Sequence, residues 1–223
     1  MKILKRVLLT LGIILGFLLV VSLFLPSKYE VKREGTVKAP VDSVFMWVAD
    51  LKNWQAWSPW YQADPGMKIT YSPTTIGPGA FMQWTSESQG NGTLTFKSIV
   101  PPGEASYELD MGQGMASTGK FMLIPQGNET KIIWIMGGDV GMNPLYKYVV
   151  LFMDGFVGPD FEKGINNLQK RADKKSAAGI NPSKVNIAGF DEKPFAQTKY
   201  RFKPEKDTDH FFFEVGGITV CQR

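Results

Sequence analysis

The chain has 223 residues, 43% of them hydrophobic and 13% aromatic, and a net charge of +4. That composition supplies a full core and excludes the disordered classes. The small positive excess, with no long Lys/Arg run after the first residues, argues against nucleic-acid binding. A single Cys221 and a single His210 exclude an internal disulfide, a thiolate cage, a His dyad and a two-His metal site within one chain, so no metal or cofactor is expected.

Residues 7–25 form an uncharged apolar run, VLLTLGIILGFLLVVSLFL, preceded by Lys2, Lys5 and Arg6. A helix rises about 1.5 Å per residue, so this run matches the roughly 30 Å hydrocarbon layer of a bilayer. Its end reads VVSLFLPSKY, with bulky residues where a signal peptidase needs small ones, which favours an uncleaved anchor over a cleaved signal peptide. Lys28, Lys32, Arg33 and Lys38 follow the span, partly offset by Glu30 and Glu34, so the positive-inside count nearly balances. A short basic tail ahead of a first apolar run stays cytoplasmic as a rule. The expectation is a single-pass protein of the cell (inner) membrane with its domain on the extracytoplasmic side.

Tyr29–Lys38 has the β-branched content of a first strand. Pro40 suits a helix start, and Val44, Trp47, Val48 and Leu51 then supply one apolar helical face. A second short helix or turn carries Asn53 to Trp57, and Ser58-Pro59 is expected to stop it. Trp54, Trp57 and Trp60 follow one another at intervals of three, and such a cluster either plugs a core or lines a mouth. Six strands come next: Met67–Tyr71, Ala80–Ser86, Thr93–Val100, Ala105–Met111, Ser117–Pro125 and Thr130–Met136. Gly-, Pro- and Asn-rich turns separate them, which argues for an antiparallel meander. From Pro144 to Ala172 the pattern is helical, with Leu145, Val149, Phe152 and Phe156 on one stripe and Phe161, Ile165 and Leu168 on another. Gly158-Pro159 predicts a kink, or a short helix followed by a longer one beginning at Pro159.

The order strand, two short helices, six strands, long helix is that of an α+β chain. Two segments carry a family likeness: VKAPVDSVFMWVADLKNWQAWSPW and MDGFVGPDFEKGINNLQKRAD. Together with that order they resemble the START/Bet v 1-like superfamily, in particular bacterial SRPBCC or polyketide-cyclase-like proteins, over residues 29–172. The resemblance implies a helix-grip fold: a seven-stranded antiparallel sheet curled around a long C-terminal helix, with a hydrophobic cavity between them. It does not imply a reaction, because the superfamily mixes lipid carriers, hormone receptors, cyclases and folding factors.

The expected organisation is therefore an anchor over residues 1–28, the SRPBCC/START-like domain over 29–172, a linker over 173–184 and a β-rich tail over 185–223. Strands are expected at Val185–Ala188, Ala196–Phe202 and Phe211–Val220. Val185 to Phe202 also resembles the opening strands of GyrI-like ligand-binding domains, although about 40 residues is too short for that module alone.

Candidate ligand-binding residues are Trp54, Trp57, Trp60, Trp84, Trp134, Phe152 and Phe156, whose rings suit an apolar ligand. Each has a structural reading as core. Parity alone does not decide which way Trp84 and Trp134 face. Met111, Met115, Met122, Met136, Met142 and Met153 could give a pocket an adaptable lining or simply fill the core. Asp154, flanked by Leu151, Phe152, Met153 and Phe156, is the one candidate pocket carboxylate, because an acid held in apolar surroundings has a raised pKa. With no His or Cys relay beside it, no catalytic residue is assigned. The leading reading is a membrane-anchored binding protein for a hydrophobic small molecule or lipid. A cyclase or hydrolase using Asp154, and a non-enzymatic envelope sensor or assembly module with an unknown protein partner, are the alternatives.

Overall fold

The computed structural model describes residues 2–112, 116–177, 211–215 and 218–222. The chain divides into two compact units, Met1–Val185 and Asn186–Arg223. The first holds α1 (Lys2–Ser22), β1 (Lys28–Val37), α2 (Val41–Ala49), a 3₁₀ segment (Leu51–Ala56), α3 (Pro59–Ala63), β2 (Lys68–Tyr71), β3 (Phe81–Thr85), β4 (Gly92–Val100), β5 (Glu104–Asp110), β6 (Ala116–Gln126), β7 (Glu129–Asp139), α4 (Pro144–Val150) and α5 (Met153–Ala177). The second holds, among its described residues, β8 (Phe211–Val215) and β9 (Ile218–Gln222), paired as an antiparallel hairpin. One continuous strand is expected over Phe211–Val220. The register instead sets Val215 opposite Ile218, so the described residues form two strands, not one. The strands expected at Val185–Ala188 and Ala196–Phe202 lie outside the described residues.

The seven strands form one antiparallel sheet in the order β1-β7-β6-β5-β4-β3-β2. β2 to β7 are a meander of neighbours, and β1 closes onto β7. β1 and β2 are thus consecutive strands on opposite edges. The connection between them, α2 through α3, has to run from one edge of the sheet to the other, which carries the Trp-rich segment between sheet and α5. An extra residue, Lys97, interrupts the β4–β5 register between Phe96 and Ser98, and such a bulge bends the strand. This is the helix-grip architecture.

Val44, Trp47, Val48 and Leu51 are all buried, as their spacing predicts. The carbonyls in α2's last turn have no helical partners of their own, and the following residues supply them. Asn53 Nδ2 donates to the Met46 carbonyl at 3.0 Å, Trp57 Nε1 to the Trp47 carbonyl at 2.8 Å and Trp54 Nε1 to the Val48 carbonyl at 2.8 Å. The 3₁₀ segment ends at Ala56, just ahead of Ser58-Pro59 as expected, and a further short helix then begins. Pro59 occupies the first turn of α3, a position where the missing N–H costs nothing.

α5 starts at Met153, and Pro159 lies inside it rather than at its start; the break falls at Leu151-Phe152. A proline this near the start forfeits one hydrogen bond, to the Gly155 carbonyl. Arg33 on β1 braces the helix on both sides of it, reaching Asp154 at 2.7 and 3.0 Å and Glu162 at 2.6 Å. Phe161, Ile165 and Leu168 turn inward as predicted. The helix sits close because two facing positions lack a side chain: a Cβ at Gly35 would lie 2.6 Å from Ile165 Cγ2, and one at Gly164 would lie 2.8 Å from Trp134 Cζ3.

The other stripe, Leu145, Val149, Phe152 and Phe156, faces outward, with exposures of 70%, 39%, 59% and 65%. Helical spacing identifies residues that share a face but not what that face meets. α4 contacts α1 instead, and Tyr148 donates its hydroxyl proton to the Leu18 carbonyl at 2.7 Å. α1 itself carries a stretch, Ile3–Ser22, long and apolar enough to cross a membrane, with the side chains of residues 3–20 exposed.

Candidate functional site

Two aromatic arrangements occupy the space between sheet and α5. The first is a plug. Trp134 on β7 stacks on Phe161 of α5 at 3.9 Å and 6°, and packs on Phe121 at 4.7 Å and Trp57 at 5.5 Å. All four rings are fully buried. The second is a cavity of about 240 Å³ beside the plug. Its floor is set by strand register, since in-line neighbours on adjacent strands share a face. Tyr71, Met82, Leu94 and Leu109 form one row across β2 to β5, and Ile69 pairs with Trp84 in the next. Trp54, Trp60 and Tyr61 close it from the helical connection, with Val157 of α5.

Two glycines make room for its largest rings. Gly92 pairs directly with Trp84, and a Cβ there would fall 2.4 Å from the indole. Gly119 pairs with Tyr107, and a Cβ there would fall 2.1 Å from the phenol ring.

Among the described residues no charged side chain lines the cavity; its polar groups are Gln55, Ser58, Tyr61, Tyr71, Gln89 and Tyr107. Tyr107 is the most confined. Burial pushes its phenol far above the usual range, so the hydroxyl stays neutral. The oxygen accepts the Trp134 indole N–H at 2.8 Å, and no hydrogen bond among the described residues takes the hydroxyl proton. Tyr71 accepts from Gln55 Nε2 at 2.8 Å, and burial raises its pKa as well.

The residues singled out from sequence separate into three places. Trp54, Trp60 and Trp84 line the cavity. Trp57 and Trp134 lie in the plug. Phe152 and Phe156 are on the outer face, their rings 6.3 Å apart. Asp154 is not in an apolar pocket. Its side chain is 62% exposed, and the Arg33 guanidinium holds its carboxyl below the usual carboxylate range, the opposite of the raised pKa expected. The neighbouring Phe152 and Phe156 that suggested an apolar setting point to the outside with it. Met111 and Met136 line the cavity together with Met67 and Met82; Met115 lies outside the described residues. Tyr107 is not among the residues that the sequence singles out. The signal was present in the strand Ala105–Met111, where Tyr107 shares inward parity with Ala105 and Leu109.

Residues 28–173 match the family model described as polyketide cyclase / dehydrase and lipid transport. The chain belongs to this family. The polyketide cyclase / dehydrase and lipid transport family supports hydrophobic-ligand binding in general. No curated protein matches the chain by sequence. Among solved structures, the Zhui aromatase/cyclase from Streptomyces sp. R1128 is similar at 16% identity and a TM-score of 0.51, covering 68% of this chain and 98% of that one. A norcoclaurine synthase point mutant from Thalictrum flavum, in complex with a transition-state analogue, is similar at 14% identity and a TM-score of 0.52, covering 67% and 96%. A protein from Rhizobium leguminosarum is similar at 16% identity and a TM-score of 0.50, covering 66% and 95%. At these identities the likeness is one of fold.

Proposed function

We propose that this member of the polyketide cyclase / dehydrase and lipid transport family is a membrane-anchored binding protein for a small, neutral, apolar molecule. The observation that carries the reading is the 240 Å³ cavity, walled mainly by aromatic, Met and aliphatic side chains and, among the described residues, without a charged one. Its volume is a little below the roughly 300–1,000 Å³ of typical small-molecule sites. A single ring system or a short acyl chain fits; a whole two-chain lipid does not. The Tyr107 hydroxyl offers one buried donor, which favours a ligand carrying a carbonyl or ether oxygen. Anchoring rests on α1, whose apolar length suits one crossing, with the domain on the extracytoplasmic side. The enzyme alternative loses its residue, because Asp154 is engaged by Arg33 outside the cavity.

Binding is measured on detergent-purified full-length protein, using energy transfer from the cavity tryptophans to N-phenyl-1-naphthylamine. Saturable transfer that an apolar competitor displaces is the expected result; no uptake at any concentration refutes the reading. The donor is tested by titrating an aryl methyl ketone against the hydrocarbon of equal size. Tyr107→Phe should weaken the ketone roughly three- to ten-fold, the worth of one hydrogen bond, and spare the hydrocarbon.

A further inference from the structure

Leu145, Val149, Phe152 and Phe156 form a continuous apolar stripe at spacings of four, three and four, unbroken by the change from α4 to α5. The backbone keeps the stripe in line: Phe152 N–H donates to the Val149 carbonyl and Phe156 N–H to the Phe152 carbonyl, each at 3.0 Å. Met142 and Leu151, close by in the chain, are exposed as well. A soluble amphipathic helix turns such a stripe toward the core and its polar side to water. Here the order is reversed. Lys147 of α4 is buried while the apolar stripe is on the surface, and a contiguous exposed patch of this kind marks a contact with something apolar.

The position of the patch along α1 identifies the partner. Tyr148 bonds to the carbonyl of Leu18, four residues before the end of α1 at Ser22, and Leu23 and Phe24 beyond it are also exposed and apolar. At about 1.5 Å per residue, α4 therefore lies roughly 6 Å inside the end of the helix, alongside its apolar length rather than past it. A segment tied there cannot stand clear of a bilayer that α1 crosses.

We infer that the Leu145–Val149–Phe152–Phe156 face is a second membrane contact, an in-plane apolar face seated at the lipid boundary beside the transmembrane helix. This rests on the reading of α1 as an anchor. Residues with this placement bury their apolar side a few ångströms into the headgroup and acyl region. The face also adjoins the cavity: Phe156 lies on the outer surface and its chain neighbour Val157 lines the pocket. Docking thus holds the wall of the pocket against a source of apolar ligand.

The test uses the full chain in palmitoyl-oleoyl phosphatidylcholine vesicles, with Cys221→Ser removing the native thiol. The environment-sensitive NBD label is placed singly through Phe152→Cys, Phe156→Cys, Leu11→Cys in α1 and Lys97→Cys on the sheet. Each is titrated with lipids carrying a spin label on the acyl chain. The expected result is quenching at Leu11, Phe152 and Phe156 and none at Lys97. Quenching at Leu11 with bright, water-exposed labels at 152 and 156 overturns the second contact while the anchor stands. No quenching at Leu11 overturns the anchor and this inference with it. Blue-shifted labels at 152 and 156 that acyl-chain quenchers do not reach would assign the face to a protein surface, such as a second copy, and likewise overturn it.

Discussion

Gly164 offers a direct measure of how tightly α5 is seated on the aromatic plug. A methyl group there would meet Trp134 Cζ3 at 2.8 Å and Trp57 Cζ3 and Pro59 Cδ at 3.5 Å. Trp134 has nowhere to go: it is fully buried, stacked on Phe161 on one side and packed on Phe121 on the other. Overpacking of this kind costs about 1–3 kcal/mol. Replacing Gly by Ala in a helix also gains about 0.5–1 kcal/mol from chain entropy, so Gly164→Ala alone reports a mixture. Gly155→Ala supplies the correction, because a Cβ at Gly155 of the same helix meets nothing within 4 Å. Gly155→Ala should be neutral or stabilising, and Gly164→Ala should fall below it by about 1–3 kcal/mol. Urea titrations of the full chain in detergent, followed by tryptophan fluorescence, read the difference. If the two variants unfold at the same midpoint, the plug is not close-packed and the account of α5 seating fails.

Three further outcomes follow from the same geometry. Trp57→Phe keeps a ring in the plug but removes the 2.8 Å bond from the indole to the Trp47 carbonyl, so equilibrium unfolding should show a loss of about 0.5–1.5 kcal/mol; an unchanged midpoint would refute a net contribution from that bond. Gly92→Ala should drive the Trp84 ring from its place and shrink the cavity, lowering N-phenyl-1-naphthylamine capacity in titration with little change in far-ultraviolet circular dichroism. Asp154 binds its proton less readily when folded than unfolded, so its contribution is present above the ordinary carboxylate pKa near ~3.9 and disappears as the pH falls through the depressed folded value. Wild type should therefore exceed Asp154→Asn in stability at neutral pH, and the two curves should converge in acid; parallel curves would refute the pairing.

How much of this was legible beforehand depends on the scale of the signal. The element order, the meander of six strands, the inward stripe Phe161–Ile165–Leu168 and the apolar N-terminal helix all follow from periodicity and turn residues, which are local properties of the chain. The family likeness of the NWQAWSPW region has a local cause too. Asn53, Trp54 and Trp57 are spaced to reach back to the last carbonyls of α2, so their positions are dictated by one helix end. Placement was not legible. Trp54 and Trp57 are three residues apart and both bonded to α2, yet only Trp54 lines the cavity, because the sheet opposite it, not its own turn, leaves the gap. Phe152 and Phe156 share a helical face by spacing, and Asp154 is singled out by its apolar sequence neighbours; all three face outward, where α4 contacts α1. A residue's face is set by its own helix or strand. What that face meets, core, cavity or Arg33, is set by segments tens to more than a hundred residues away, and no periodicity records them.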